Sequence, residues 1–496
     1  MIWSTAALSY VLVVAWLAYS VAQVFCSPLR RLPGPWYTLF TRVVLKYKII
    51  TGSRMHYVHA LHQKYGPIVR IAPNDVAVAD PEAFVHIHRI GSGFLKAPWY
   101  AHVTAAQEPG IFAMIDPKAH AQRRRLFAKS FTSNSLQTNW ETTIREKVDF
   151  TVKRIRGDAA ANGGEVDVLK WWMFMATDVI GHLSFGESFD MLKTGKKTEY
   201  IKAVESALIN SGIRYEVPWL HALLRMLPIP SIRVFINADK YVMHYGKKAV
   251  NNLRSGNSSS RNLFSTILAA SDNIKEGDQT YLSDQSIQLE AGNLIVAGSD
   301  TTSITITYLV WAVLKRPELQ RRLEAEVAAL PGMTADGNPG FTSADLERLP
   351  LLNAVIDESL RLYGAAPGSL PRSVPPGGAT LCGYALPGGT VVETQAYTLH
   401  RDARVFPDPL RFDETRFLDG NLTPQQRKVF CPFGAGTRVC IGLHLARIEL
   451  LLAAATFFRE CRGATLGKTM TDSVMDMDNH FLIAPAGHRC TVVVPP

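Results

Sequence analysis

Cysteine is scarce, with 6 in 496 residues. They are Cys26, Cys382, Cys431, Cys440, Cys461 and Cys490, and no two stand in a CxxC. That excludes a zinc ribbon, a dithiol redox motif and a disulfide scaffold, and points to a reducing compartment with mostly inert thiols. Long runs of one charge are missing too. The densest basic cluster is Arg123, Arg124, Arg125, too short for a nucleic-acid arm, and no nucleic-acid partner is expected. Internal repeats and low-complexity tracts are absent. The net charge of +10, from 53 basic and 43 acidic residues, suits an anionic membrane face or an acidic protein partner.

Charge is also missing from residues 1–29; the first basic pair is Arg30 and Arg31. About 20 apolar residues in a helix span a hydrocarbon core. Trp3, Tyr10, Trp16 and Tyr19 recur along the segment. A cleavable signal peptide would begin with positive charge and end at a small-residue site. Here the basic pair follows the apolar run, so the positive-inside rule places the body on the cytosolic side. Residues 1–27 are expected to be an uncleaved single-pass anchor and 28–40 a stiff hinge around Pro33, Gly34 and Pro35. Residues 41–496 are the expected body.

The body reads as mainly α with a small β portion. Residues 283–317 form a long apolar segment with Ser283 as N-cap and Pro317 beyond its end. Residues 349–364 are amphipathic and end at Gly364. Residues 442–461 are rich in Leu and Ala. Strands are expected at 68–73, in the tail "CTVVVPP", and at 379–395 as a hairpin turning at Pro387-Gly388-Gly389.

Four stretches carry candidate chemistry. The first is "FCPFGAGTRVCIG", residues 430–442. Glycines let backbone N–H groups approach a thiolate closely. Cys440 sits just before a helix starting near Gly442, where the dipole favours negative charge. Arg438 can pair with a carboxylate, and Phe433 can shield the sulfur. A buried structural thiol would explain the cysteine alone equally well. The second stretch is "AGSDTT", residues 297–302, in mid-helix. Gly298 is unfavourable there by roughly 1 kcal/mol relative to Ala, and a Thr hydroxyl bonding back to a carbonyl can distort the helix. A tolerated polar notch in a core helix is the alternative. The third is Glu358 and Arg361, one helical turn apart, a spacing common on surfaces. The fourth is "RFDETRF", residues 411–417, which offers Arg416 as a third member of a network.

In this order the stretches resemble the motifs of membrane-bound eukaryotic cytochromes P450, most like filamentous-fungal members of specialised metabolism. The cysteine motif of that family, F-x-x-G-x-R-x-C-x-G, is carried by Phe433, Gly436, Arg438, Cys440 and Gly442. Its distal-helix motif is carried by Ala297, Gly298, Asp300, Thr301 and Thr302, and its E-x-x-R pair by Glu358 and Arg361. The resemblance covers essentially the whole chain and implies one large α-rich domain with a minor β part. Thr415 stands where the family often has an acidic residue before Arg416. His120 stands where a tryptophan is usual, four residues before Arg124. Arg124, Arg372 and His120 are then expected at the haem carboxylates.

The resemblance implies heme b with Cys440 as axial ligand, O2, and electrons from NADPH through NADPH–cytochrome P450 reductase. It places the chain in the endoplasmic reticulum membrane with its catalytic domain cytosolic. Thr301 and Asp300 would deliver protons, with Gly298 beside the oxygen site. Hydroxylation of a small lipophilic substrate is the default; desaturation, ring coupling, peroxide rearrangement or a non-catalytic haem sensor are the alternatives. Rearrangers commonly lose the acid–threonine pair kept here. The loop from Gly93 to Met114 would cap the haem, with Phe94, Trp99, Tyr100, Phe112 and Met114 near substrate, joined by Ile295, Ala297, residues 365–370 and Phe481. The segment 217–230 would give a second membrane contact.

Overall fold

The computed structural model describes residues 2–102, 109–238, 240, 247, 262–265, 282–332 and 340–496. The expected loops at 251–262 and 331–340 lie largely outside this set, as do residues 103–108 of the capping loop.

The expected long segment forms a central helix, Asp284–Leu314, in which the Ser283 hydroxyl accepts from the Ser286 N–H. Capping of this kind supplies an acceptor to a donor that the helix itself leaves unpaired. Pro317 does not merely close it but opens the next helix, Pro317–Ala328, because its missing N–H costs nothing in a first turn. Against the central helix pack Val168–Phe185, Pro350–Tyr363 and Leu443–Glu460. Val168–Phe185 is buried almost all round, and its one buried carboxylate, Asp178, accepts from the Met191 and Leu192 N–H groups. It ends at Gly186, left-handed at φ 78°. Ile180, Leu309, Val355 and Leu451 belong to the single large core built by these helices.

The β portion is small. Its main sheet runs Ile68–Ala72, Asp75–Val78, Val391–Glu393, Arg372–Ser373, Leu95–Lys96, joining the two ends of the body. Its outermost pairing sets Lys96 beside Arg372. The expected hairpin exists, but its turn is Cys382-Gly383 between Ala379–Leu381 and Tyr384–Leu386. Both turn residues have positive φ, 50° and 81°, as a tight two-residue connection demands. Pro387-Gly388-Gly389 instead leads into Val391–Glu393, which pairs in the main sheet. Thr491–Val493 is the expected tail strand.

At the N-terminus, Ile2–Cys26 is one helix of 25 residues. Among the described residues no helix is long and apolar enough to cross a membrane. Several side chains of this first helix lie outside that description. The proline segment after it is held to the sheet by Arg70, which donates to the carbonyls of Leu29 and Leu32, each at 2.9 Å, and to Thr38 Oγ1 at 3.1 Å.

Candidate active site

The cysteine loop is built by its glycines and by a brace from elsewhere. Gly434 and Gly436 take left-handed φ values of 76° and 65°. A Cβ on Gly436 would lie 1.9 Å from the His88 carbonyl oxygen, so the loop touches the helix Pro81–His88 at a point only glycine permits. The Cys440 N–H donates to the Phe433 carbonyl at 2.9 Å. Cys440 is solvent-accessible, yet protein crowds it closely enough that burial pushes its thiol above the usual range. The Gly442 N–H and the Arg124 charge pull the other way. Metal coordination removes such a proton outright. Cys431 is buried with its thiol pushed up to about 12 by burial alone, an inert neighbour.

Behind the loop lies the ion-pair network. Arg361 donates to both Glu358 oxygens, at 2.6 and 2.7 Å, and both residues are buried. Its remaining N–H groups reach the carbonyls of His400, Pro409 and Arg411. Arg416 approaches Glu358 at 3.7 Å without a hydrogen bond, and its Nε is left unpaired. Its Nη2 donates to the Asp408 carbonyl at 3.0 Å. Arg416 is therefore an electrostatic neighbour of the pair rather than a bonded third member, because Thr415 turns to Asp413 and the Asp413 N–H takes the Glu358 oxygen. His400 links this network to the cysteine loop. Its Nδ1 faces the Arg361 carbonyl at 2.9 Å, and its Nε2 accepts from the Cys431 N–H at 3.0 Å. Only a neutral ring protonated at Nδ1 satisfies both contacts, and burial holds His400 down to about 3.

On the central helix, Ala297 is exposed and Thr301 partly exposed although the segment that follows is buried, so a cleft opens along that stripe. The Thr301 hydroxyl donates to the Ala297 carbonyl at 2.7 Å. Burial pushes the Asp300 carboxyl up to about 6; Glu205 adds to the rise and Lys197 opposes it. Gly298 marks a close approach between two helices. A Cβ there would meet Ile180 at 2.8 Å, so the glycine serves close packing against Val168–Phe185.

The predicted cations do converge. Arg124 donates to the Val439 carbonyl at 2.8 Å, and Arg438 donates to the carbonyls of Met114 and Ile115 at 2.7 and 2.9 Å. Arg372 and His120 are buried. His120 is held down to about 3 by burial and then by Arg438, Lys96, Arg124 and Arg372. Lys96 was not foreseen: a lone lysine in a two-residue strand carries no sequence signal. It is buried, and it is held down to about 6 by burial and by Arg372 and Arg438. Among the described residues no carboxylate forms an ion pair with Lys96, Arg124, Arg372 or Arg438, although Arg438 feels Asp116 at longer range. Clustered cations without counter-charge are costly in a fold. They fit a ligand that brings its own carboxylates to a soft sulfur donor, as haem does.

The family model for cytochrome P450 matches residues 32–492. The chain is a cytochrome P450. It is similar to the cytochrome P450 monooxygenase stcB of Emericella nidulans, 41% identical over 487 residues, covering 96% of this chain and 91% of the relative. It is likewise similar to the cytochrome P450 monooxygenase aflV of Aspergillus parasiticus, 42% identical over 490 residues, covering 96% and 94%. Methylphloroacetophenone oxidase of Cladonia uncialis is 35% identical over 404 residues, covering 79% and 85%. This P450 is thus an oxidoreductase of the monooxygenase family, for which the residues above form a fitting haem-thiolate site.

Ala297, expected to line the pocket of this P450, is exposed on the central helix. Phe112 and Phe481 meet edge to face at 5.6 Å, and Met114 offers its carbonyl to Arg438. Phe94 does not join them. It packs in a separate core with Ile87 and Val374, beside the His86 ring, because it precedes the strand Leu95–Lys96 and points into the sheet's own interior.

Proposed function

We propose that this P450 uses O2 and electrons from NADPH, passed singly by NADPH–cytochrome P450 reductase, to hydroxylate a lipophilic small molecule in a fungal secondary-metabolite pathway. The observation that carries this reading is the convergence of cations without counter-charge beside an accessible cysteine, with an acid–threonine pair on an open stripe of the central helix. When bound, haem supplies oxygen activation and the oxidising equivalent. The protein's part is to hold and orient it and to move protons. Cys440 would be the iron ligand, its negative charge favoured by Arg124 and the Gly442 N–H. Arg124, Arg372, Arg438, His120 and Lys96 would hold the haem carboxylates. Asp300, at about 6, exchanges protons readily near neutrality, where a general acid works best. The Thr301 hydroxyl would pass them into the cleft.

The pathway assignment rests on likeness to fungal cytochrome P450 monooxygenases and to a methylphloroacetophenone oxidase. The membrane assignment rests on Ile2–Cys26, uncharged over 25 residues. At about 1.5 Å per residue it would reach about 37 Å, beyond the roughly 30 Å of a hydrocarbon core. The helix Pro218–Met226 has no buried residue and exposes Trp219, Leu223 and Met226, which suits partial immersion beside it.

The test is a carbon monoxide difference spectrum of the reduced protein, followed by turnover with NADPH and reductase. The strongly red-shifted band of thiolate ligation is expected, and Cys440→Ser should abolish it. A folded, haem-loaded sample without that band, or a variant that keeps it, would end the proposal. Carbonate-washed microsomes test the anchor: the full chain should stay in the pellet, and its appearance in the supernatant would count against insertion.

A further inference from the structure

We propose that the substrate of this P450 is a flat aromatic compound, held against an aromatic box made by Trp99, Tyr100, Phe112 and Phe481. The proposal rests on the monooxygenase reading above and adds the chemistry of its substrate.

The box is assembled from three separate stretches of chain. The Trp99 and Phe481 rings lie nearly parallel, 27° between planes, with centroids 6.1 Å apart. Phe112 stands edge-on to Phe481 at 5.6 Å and 79°. Tyr100 stands edge-on to Phe112 at 5.4 Å and to Trp99 at 4.9 Å. Lys96 fixes one wall. Its Nζ lies 4.0 Å from the Tyr100 ring centre and 4.6 Å from that of Phe112, and it donates to the Phe112 carbonyl.

The box is tied to the reaction site from two sides. The carbonyls of Met114 and Ile115, just after Phe112, are gripped by Arg438 of the cysteine loop. The Ile111 N–H, just before it, donates to Glu290 of the central helix at 2.8 Å. Anything resting against these rings therefore lies within a side chain's reach of the cations that suit the haem carboxylates.

The opposite wall is under strain. Phe481 has φ 143°, a conformation that residues with a Cβ seldom adopt and that clusters at active sites, ligand clamps and switch regions. Its carbonyl is held by Asn479 Nδ2 at 3.1 Å. Phe481 is 44% and Phe112 39% exposed, so both rings have free surface to offer. Aliphatic walls adapt to any greasy shape, whereas rings set parallel and perpendicular favour a planar partner with a matching quadrupole.

The experiment uses the full-length holoenzyme and a matched pair of probes: β-naphthol and its saturated, non-planar counterpart decahydro-β-naphthol. Binding is read from the shift in haem absorption. The wild type should bind β-naphthol about tenfold more tightly, the size expected for one or two good ring contacts. W99L and F481L stay apolar and remove the ring, and each should bring that ratio to within about threefold of unity. Their carbon monoxide bands serve as the check on folding. Equal affinities in the wild type, no binding of β-naphthol, or an unchanged ratio in both variants would overturn the proposal. A wild type lacking the thiolate band would instead overturn the parent reading, so the two failures are told apart.

Discussion

Replacing Asp300 by Asn should stabilise this protein while impairing its chemistry. Raising a carboxyl from 3.8 to about 6 means that the fold disfavours the ionised form by about 3 kcal/mol. Asp300 is partly accessible, so screening trims the figure to about 2 kcal/mol. The sign follows from linkage. The folded state binds this proton more tightly than the unfolded chain does. Its contribution is most favourable below the unfolded value near 4 and is lost as pH rises through about 6. D300N carries no such penalty. Urea unfolding of both proteins should give nearly equal stabilities near pH 4, a gap that opens up to about pH 6, and a constant advantage for D300N of about 2 kcal/mol above pH 7. In the same preparations, product formed per NADPH consumed should fall sharply for D300N, because the amide cannot relay a proton. A stability difference that does not change with pH would refute the assigned burial of Asp300. Unchanged coupling would remove it from the relay.

Thr301→Ala should uncouple NADPH consumption from product with the carbon monoxide band intact; coupling within twofold of wild type would show the hydroxyl to be dispensable. Arg372→Met should act with opposite signs in the two forms. It should leave the apoprotein as stable or more so, by relieving repulsion with Lys96 and Arg438, and speed haem loss from the holoprotein, as followed by transfer to apomyoglobin. Slower or unaltered haem loss would take Arg372 out of the carboxylate site. Glu358→Ala leaves Arg361 buried without its carboxylate and should cost about 3–5 kcal/mol. That is a large share of the roughly 5–15 kcal/mol holding a folded domain together, and a thermal midpoint within a degree of wild type would contradict the burial of the pair.

The motifs whose chemistry is local were legible in the sequence. Cys440, Arg438 and the Gly434–Gly436 loop form a contiguous stretch, and Glu358 and Arg361 are one helical turn apart. What escaped was set by contacts distant in sequence. Lys96 acquires its role only by pairing with Arg372, and His400 only by bridging Arg361 and Cys431. Gly298 was legible in part. Its oddity in mid-helix was plain, but the neighbour requiring it is Ile180 on another helix, and no spacing rule names that partner. Phe94 and Phe112 look alike in one loop; only strand pairing sends the first into the sheet. The hairpin was misplaced because Pro-Gly-Gly is the stronger turn signal in composition, whereas Cys382-Gly383 has the positive φ values that two residues need to reverse a strand.

The brace between Gly436 and the His88 carbonyl has a consequence for how the protein is made. Lys96 and Arg124 emerge from the ribosome early, while Cys440 and the glycines that shape its loop follow more than 300 residues later. During that interval the cations have neither haem carboxylates nor the loop that orders them. Haem retention is therefore a property of a chain synthesised past Gly442, since no shorter polypeptide carries both the sulfur and the loop that orders the cations.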